Sequence, residues 1–180
     1  MSSEIYSESI SRIQKNKKSL EKELDVKITF KGKNICIVGK AINEYIACKC
    51  IEAINLGFKV PQTINLKEED CIFETIHIKD ITRRSDLERI RGRIIGKHGK
   101  TKELIENLSD CLISVHDNCI GIIGKAENIE KCIQAIKSII QGSKQSKVYS
   151  YLERERTKAK RERFEDLGLK NPKTRKRAKK

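Results

Sequence analysis

The sequence predicts an α+β fold that consists of two copies of one small unit, followed by a charged helix and a basic tail. Two observations support this prediction. The chain resembles itself at an offset of 85 residues, and each copy combines short alternating strands with amphipathic helices. The length of 180 residues suits one domain or two small ones. We expect the two units at residues 1–65 and 66–143, and the helix and tail at residues 144–180.

The repeat is clearest where a strand runs into a turn and then a helix. Residues 35–41 align with residues 120–126, and both segments end in Gly-Lys-Ala. The similarity continues along the next helix, which each copy closes at a glycine, Gly57 or Gly142. A glycine suits this place because the residue after a helix commonly adopts positive φ. The sequence therefore predicts two copies of one fold.

The second copy shows its elements in the order β-α-α-β-β-α. Alternating apolar residues predict a first strand from Phe73 to Ile81. Helical spacing then predicts two helices on either side of a glycine-containing segment, the second beginning at Lys100. Two further strands and a closing helix are predicted at Cys111–His116, Cys119–Ile123 and Ala126–Gln141, with a tight turn at residues 117–118.

This order of elements, with Ile-Gly-x-x-Gly at Ile95–Gly99, resembles a type I KH domain. Two glycines allow a sharp turn between helices whose N–H groups approach a phosphate closely, because no Cβ intervenes. The next helix directs its positive N-terminal dipole to the same place. KH domains use this loop to bind the backbone of about four unstacked nucleotides. The resemblance thus implies tandem type I KH domains and RNA binding by the second.

The candidate RNA-binding residues of the second unit are the loop, the positive side chains around it and an apolar groove for bases. They are Arg91, Arg93, Ile94, Gly96, Lys97, His98, Gly99, Lys100, Lys102, Leu104 and Ile113, with Ile94, Leu104 and Ile113 forming the groove. We interpret His98 as a phosphate donor or a bystander, because no paired carboxylates, acyl-transfer motif or metal cluster accompany it. The sequence predicts no catalytic residue, no metal site and no cofactor.

The first copy is degenerate at the place where the second has its glycine loop. The equivalent region, Ser11–Lys17, contains no glycine, so its backbone is not expected to approach a phosphate in the same way. Its lysines remain able to attract phosphate electrostatically. We favour a packing or protein-binding role for this unit, with Glu4–Tyr6 as its first strand.

The charge of the chain points to a polyanionic partner. Lysine and arginine total 39 against 25 acidic residues, a formal charge of +14. Residues 144–180 hold 15 basic and 5 acidic residues, and six of the last eight are basic. Such a tail is typical of polyanion binding or nuclear import, although a merely solubilising end is the alternative.

Residues 147–167 are expected to form a helix with a thin apolar stripe at Val148, Leu152, Ala159 and Leu167. Because so narrow a stripe buries little surface, we expect this helix to dock on RNA or a protein neighbour.

Several classes of protein are excluded by what the sequence lacks. It has no apolar run long enough for a transmembrane helix and no secretory signal at its start. Neither G-x-G-x-x-G nor G-K-[ST] follows a strand, which argues against nucleotide-binding folds. The seven cysteines include no C-x-x-C pair, so we expect buried thiols in a reducing compartment rather than zinc ligands or disulfides. We expect no membrane partner and no small-molecule substrate.

The run Gly92–Lys102, with Ile105-Glu106-Asn107 and the later Ser146-Lys147-Val148-Tyr149, resembles the partner-of-Nob family of small-subunit ribosome assembly factors. The resemblance implies a non-enzymatic protein that binds pre-rRNA of the small subunit near its 3′ end. It also implies a Nob-type endonuclease and platform ribosomal proteins as partners. Lys147 and Tyr149 lie in the matching segment after the second unit and join the candidate RNA-binding residues.

The same resemblance implies a location that depends on the source. Eukaryotic members work in the nucleus, nucleolus and cytoplasm, which we favour here, and an archaeal member would be cytoplasmic. The charged segment at residues 151–156 is closer to archaeal relatives. Two other functions remain open: a scaffold of the pre-ribosomal particle with mainly protein contacts, and a general single-stranded RNA-binding KH protein.

Overall fold

A computed structural model describes residues 3–166, which form two α+β units in tandem. The first unit contains β1 (Ser3–Tyr6), α1 (Ile10–Lys15), α2 (Lys17–Leu24), β2 (Val26–Lys31), β3 (Asn34–Gly39), α3 (Ala41–Asn55) and α4 (Val60–Ile64). The second contains β4 (Cys71–His77), α5 (Ile78–Ile81), α6 (Leu87–Ile95), α7 (Lys100–Ser109), β5 (Cys111–His116), β6 (Cys119–Lys125) and α8 (Ala126–Ile140). A long helix, α9 (Gln145–Asp166), follows the second unit.

Each unit has one antiparallel sheet of three strands in which the last strand lies in the middle. The orders are β1-β3-β2 and β4-β6-β5. Apolar residues of α1, α2 and α3 cover one face of the first sheet, while α6, α7 and α8 cover one face of the second. The order β-α-α-β-β-α predicted for the second copy is thus present in both units, apart from the short added helices.

Several predicted boundaries shift in the structure. The strand predicted to reach Ile81 ends at His77, because Ile78 begins a single helical turn and its side chain is fully buried. The closing helix ends at Ile140, one residue earlier than predicted, and α9 begins at Gln145 rather than Lys147. Leu167 and the basic tail at residues 173–180 lie outside the described residues.

The predicted internal repeat extends to individual side-chain contacts. In the second unit, Glu106 accepts a hydrogen bond from the Ile113 amide at 2.7 Å, which ties α7 to the edge strand β5. In the first unit, Glu21 accepts from the Ile28 amide at 2.8 Å and ties α2 to β2. Both pairs are related by the 85-residue offset. The two units therefore share the same hydrogen bond between their second helix and the edge strand that follows it.

The first unit packs on the second sheet at the face opposite to α6, α7 and α8. The Phe58 ring meets the Phe73 ring edge-on at 6.2 Å between centroids, and a Cβ on Gly121 would lie 2.8 Å from Phe58 Cε2. Ser114 Oγ donates to the Leu56 carbonyl oxygen at 2.6 Å. Because helices cover one face and the first unit covers the other, the central strand β6 is buried from Ile120 to Gly124.

Helix α9 packs against the second unit of its own chain. Val148 and Leu152 are buried members of the second core, and Tyr149 and Tyr151 pack against it. The expected docking of this helix on RNA or a protein neighbour is therefore corrected for its N-terminal half, whose apolar stripe is covered by α7 and α8. The C-terminal half of α9 carries mostly exposed charged residues.

Two further predictions concern membranes and cysteines. Between residues 3 and 166, no helix combines the length and the apolar character that crossing a bilayer requires. Four of the seven cysteines, Cys36, Cys50, Cys111 and Cys132, are buried, while the other three are half-buried. Burial raises the pKa of the Cys50 thiol to about 12, so this side chain is an uncharged core residue at neutral pH.

Candidate nucleic-acid interface

The glycine loop of the second unit joins α6 to α7 in a conformation that its two glycines permit. Gly96 has φ 74° and ψ 178°, and Gly99 has φ 78° and ψ 0°. A Cβ on Gly96 would lie 2.6 Å from Thr101 Cβ and overlap Thr101 Oγ1, whereas a Cβ on Gly99 would meet open space. Gly96 is thus required for close packing as well as for its backbone angle, and Gly99 for its angle alone.

The residues between the two glycines are presented to solvent. Lys97 and His98 are exposed, and His98 itself has φ 54°, a left-handed conformation that a side chain rarely adopts. Lys100, the first residue of α7, is also exposed. Because the first amides of a helix have no intrahelical acceptor, the start of α7 offers N–H groups and a positive dipole beside the loop. The loop therefore combines backbone donors with positive side chains.

The predicted positive side chains around the loop differ in how freely they can reach a ligand. Arg91 donates to the Asp117 carbonyl oxygen at 3.2 Å, and Arg93 donates to the Ser143 carbonyl oxygen at 2.6 Å. Lys102 lies 3.6 Å from Glu106. These three side chains have intramolecular partners. Lys97, His98 and Lys100 are the exposed positive or titratable side chains nearest the loop backbone.

The apolar groove predicted for bases is only partly present. Ile94 and Ile113 are core residues with 0% and 2% exposure, so neither offers surface to a base, and their predicted place in the groove is corrected. Leu104 is 39% exposed, as a groove residue requires. Ile95, which the prediction omitted, is 38% exposed and precedes Gly96 directly. Ile95 and Leu104 are therefore the exposed large apolar side chains on the helices that flank the loop.

A hydrogen-bonded brace behind the loop was not predicted from the sequence. Gln145 Nε2, at the start of α9, donates to the Arg93 carbonyl oxygen at 3.0 Å and to Thr101 Oγ1 at 3.1 Å. The first acceptor lies in the last turn of α6, and the second lies in the first turn of α7. One side chain thus holds both ends of the glycine loop. The only sequence signal for it was the similarity of the residues after Gly142 to a known family.

The two candidate residues on α9 lie in different environments. Lys147 is exposed, while Tyr149 is half-buried against the second core. Within residues 3–166, no group of three or more His, Cys, Asp or Glu side chains is arranged to hold a metal ion. The site therefore consists of the glycine loop and the exposed side chains of Lys97, His98 and Lys100, with Gln145 holding the two ends of the loop.

Between α1 and α2 the first unit lacks the loop as well as the two loop glycines. Helix α1 ends at Lys15 and α2 begins at Lys17, so a single residue, Asn16, separates them. Asn16 Nδ2 donates to the Arg12 carbonyl oxygen at 2.9 Å, which closes the junction with a side chain. No equivalent loop backbone is available in the first unit.

Comparisons with known proteins agree with this geometry. Residues 72–157 match the model of a eukaryotic-type KH domain, KH-domain type I. The KH domain-containing protein MJ0443 of Methanocaldococcus jannaschii is 34% identical over 162 residues, which cover 83% of this chain and 69% of that protein. The pre-rRNA-processing protein PNO1 of Phaeosphaeria nodorum is 41% identical over 105 residues, 57% of this chain but only 40% of that longer protein.

A solved structure shares the whole two-unit architecture. A chain in the crystal structure of the a/eIF2alpha–aDim2p–rRNA complex from Pyrococcus horikoshii superposes with a TM-score of 0.79 at 30% sequence identity. The match covers 88% of this chain and 95% of the chain in that structure. The tandem arrangement of the two units is therefore shared with a protein from that complex.

Proposed function

The chain belongs to the PNO1/Dim2 family of KH-domain proteins, and we propose that it is a pre-rRNA-binding assembly factor of the small ribosomal subunit. The observation that carries this proposal is the intact loop Gly96–Gly99, with exposed Lys97, His98 and Lys100 and the start of α7 behind it. Backbone amides and positive side chains of this kind suit a sugar–phosphate strand. The role is a binding one and not an enzymatic one.

The relatives support the choice of RNA. One relative is a pre-rRNA-processing protein, and a structural neighbour comes from a complex that contains rRNA. From the family resemblance we propose binding near the 3′ end of small-subunit rRNA, with a Nob-type endonuclease and platform ribosomal proteins as neighbours. A eukaryotic source would place this work in the nucleus, nucleolus and cytoplasm.

The two units are proposed to have separate tasks. Lys97, His98 and Lys100 contact RNA phosphates. The exposed apolar side chains of Ile95 and Leu104 pack against an RNA base. The first unit, at residues 1–65, lacks the loop and serves packing and protein contacts. Lys147 is exposed at the start of α9 and extends the positive surface.

The proposal is tested by reversing the charge of the loop without touching its glycines. In the variant Lys97→Asp with His98→Asp, two attractive contacts become repulsive, and we expect RNA affinity to fall at least tenfold, about 1.4 kcal/mol. Fluorescence anisotropy with an RNA of the small-subunit 3′ region at moderate salt measures this. The matched control is Lys18→Asp with Ser19→Asp, which makes the same charge change at exposed positions of α2.

Equal affinity of the loop variant and the control would remove the loop from the mechanism. Crosslinking in cells tests the target itself. We expect reads concentrated at the 3′ end of the small-subunit rRNA precursor. Reads scattered over messenger RNAs would favour a general single-stranded RNA-binding protein, and an absence of RNA crosslinks would favour a scaffold.

A further inference from the structure

The strand β4 lies at an edge of the second sheet, and three hydrogen bonds show which of its residues face outward. The Ile78 amide donates to the Asn118 carbonyl oxygen, and the Ala126 amide donates to that of Asp70, so even-numbered residues face β6. The Cys71 amide instead donates to the Glu68 carbonyl oxygen, away from β6. Because backbone direction alternates along an antiparallel strand, Phe73 and Thr75 direct their N–H and C=O groups outward.

No strand within residues 3–166 pairs with this outer edge of β4. A row of outward backbone groups is a template for another strand, and proteins that leave one accessible usually protect it with charge, a bulge or proline. Residues 71–77 contain no proline, and their pairing with β6 is regular throughout, so the charge of Glu74 is the protection that the strand itself carries. The edge of β4 is therefore able to accept an extended polypeptide.

A groove runs along this edge, between β4 and α3 of the first unit. It has a volume of about 170 Å³ and is lined by Tyr45, Ile46, Lys49 and Leu66 on one side and by Cys71–Glu74 on the other. Four consecutive strand residues line it, so the edge of the strand, rather than one face, borders the groove. The volume equals about six water molecules, which is room for one large side chain.

The groove opens on an apolar patch. Tyr45 is 64% exposed, Ile72 is 37% exposed, and Ile42, one turn before Tyr45 on α3, is 75% exposed. Large apolar side chains exposed together mark interaction sites more often than single ones do. An extended segment on the β4 edge would cover these side chains while its backbone paired with Phe73 and Thr75.

The charge of this region favours a protein over RNA. The chain as a whole carries +14, yet acidic residues outnumber basic ones beside this edge: Glu68, Glu69, Asp70 and Glu74 against Lys67 and Lys125. Lys49, which lines the groove, is bonded to Glu52 at 2.8 Å. The acidic excess favours a basic ligand over a phosphate, and it disfavours pairing with the same edge of a second copy, because like charges placed opposite each other destabilise a strand pair.

We propose that the free edge of β4 and the groove beside it form a docking site for a basic, extended segment of a partner protein, bound as an added strand. Backbone hydrogen bonds to Phe73 and Thr75 supply the pairing, one apolar side chain fills the groove, and basic side chains face the acidic rim. This mode of recognition is strand addition. It is independent of the glycine loop and of RNA.

The test uses the full chain and a synthetic probe, an acetylated and amidated octapeptide of alternating lysine and valine. In an NMR titration we expect shifts centred on the amides of Phe73 and Thr75, with slower hydrogen exchange at both. The matched probe of alternating glutamate and valine is expected to bind this edge at least fivefold more weakly. Net charge alone predicts the opposite order, because the protein is strongly basic.

Two variants locate the binding. Tyr45→Ala with Ile72→Ser removes the apolar contacts, and we expect at least fivefold weaker binding of the lysine–valine peptide. Tyr6→Ala is the control, because Tyr6 is an exposed tyrosine on β1, which lies at an edge of the first sheet. Circular dichroism checks that each variant is folded.

Four outcomes would overturn the proposal. They are no shift at Phe73 and Thr75, equal binding by the double variant and the control, a preference for the glutamate peptide, and amides protected before any peptide is added. The last outcome would mean that the chain's own basic tail or a second copy already occupies the edge. Titration with a single-stranded RNA is expected to shift the glycine loop and leave these amides unchanged.

Discussion

Three glycines around the loop serve different purposes, although all lie within eight residues of each other. Gly92 is inside α6 with open space around its Cα, Gly96 lies against Thr101, and Gly99 has positive φ but open space. Adding a methyl group at these positions is therefore expected to change the free energy of unfolding in different directions and by different amounts. The backbone and packing of each position decide the outcome, and the residue type does not.

Replacing each of the three glycines by alanine distinguishes their structural roles. We expect Gly92→Ala to stabilise the protein by about 0.5–1 kcal/mol, because alanine is the better helix former. Gly99→Ala should cost about 1–2 kcal/mol through its left-handed backbone. Gly96→Ala should cost more than Gly99→Ala, since it adds a steric overlap with Thr101. Denaturant unfolding measures all three. An equal effect of Gly96→Ala and Gly92→Ala would contradict the close packing at Gly96.

Gln145 is a positioning residue for the loop rather than a contact for RNA. Gln145→Ala removes the bonds to the Arg93 carbonyl and Thr101 hydroxyl, and we expect three- to tenfold weaker RNA binding with faster hydrogen exchange at residues 96–100. These bonds contribute about 0.5–1.5 kcal/mol each. The control is the adjacent exposed Ser146→Ala. Weaker RNA binding without any change in loop exchange would mean that Gln145 contacts RNA directly.

At the scale of the elements, α9 belongs to the second core through its first two turns. Isolated helices with so few apolar residues are marginal in water, yet Val148 and Leu152 of α9 are buried among residues of α7 and α8. The same helix supplies the brace at Gln145. The RNA loop and the C-terminal helix are therefore parts of one packed structure.

Truncating one buried side chain of α9 tests this packing. Leu152 is 1% exposed, and Leu152→Ala should lower the free energy of unfolding by about 2–5 kcal/mol. Phe164→Ala is the control, because Phe164 is a larger side chain that is 36% exposed on the same helix. A loss of helix signal without loss of stability would show that α9 frays independently of the core.

Sequence patterns identified most elements and the glycine loop, but not which apolar residues are exposed in the groove predicted for bases. Periodicity separated strands from helices and located the junction at Gly96–Gly99, because these features are local. The burial of Ile94 and Ile113 depends on how α6, α7 and β5 meet, which the pattern of one element does not contain. The contact between Gln145 and Thr101 joins residues 44 positions apart, and only the folded chain brings them together.

At the scale of the whole molecule, the two units share an apolar contact that makes their stabilities interdependent. Phe58 is 2% exposed, and its ring rests against Phe73 and over Gly121. Ile123 of the second sheet is counted among the buried residues of the first core. The molecule is expected to unfold as one cooperative structure.

Phe58→Ala tests this coupling. The substitution should cost about 3–5 kcal/mol and separate a single thermal transition into two, because the first unit loses its apolar contact with the second. Differential scanning calorimetry measures the number of transitions. Tyr6→Ala, which removes an exposed ring that is not part of the contact, should leave one transition. A single transition in Phe58→Ala would mean that the remaining contacts suffice to couple the units.

The segments that follow the two closing helices explain why the units are joined asymmetrically. Leu56 and Phe58, which flank Gly57, insert under the neighbouring sheet, but the residues at the same places after α8 are Gln141 and Ser143. The second unit therefore lacks the two apolar side chains through which the first unit packs on a neighbouring sheet. The chain continues there into α9, which folds back onto the second unit through Val148 and Leu152.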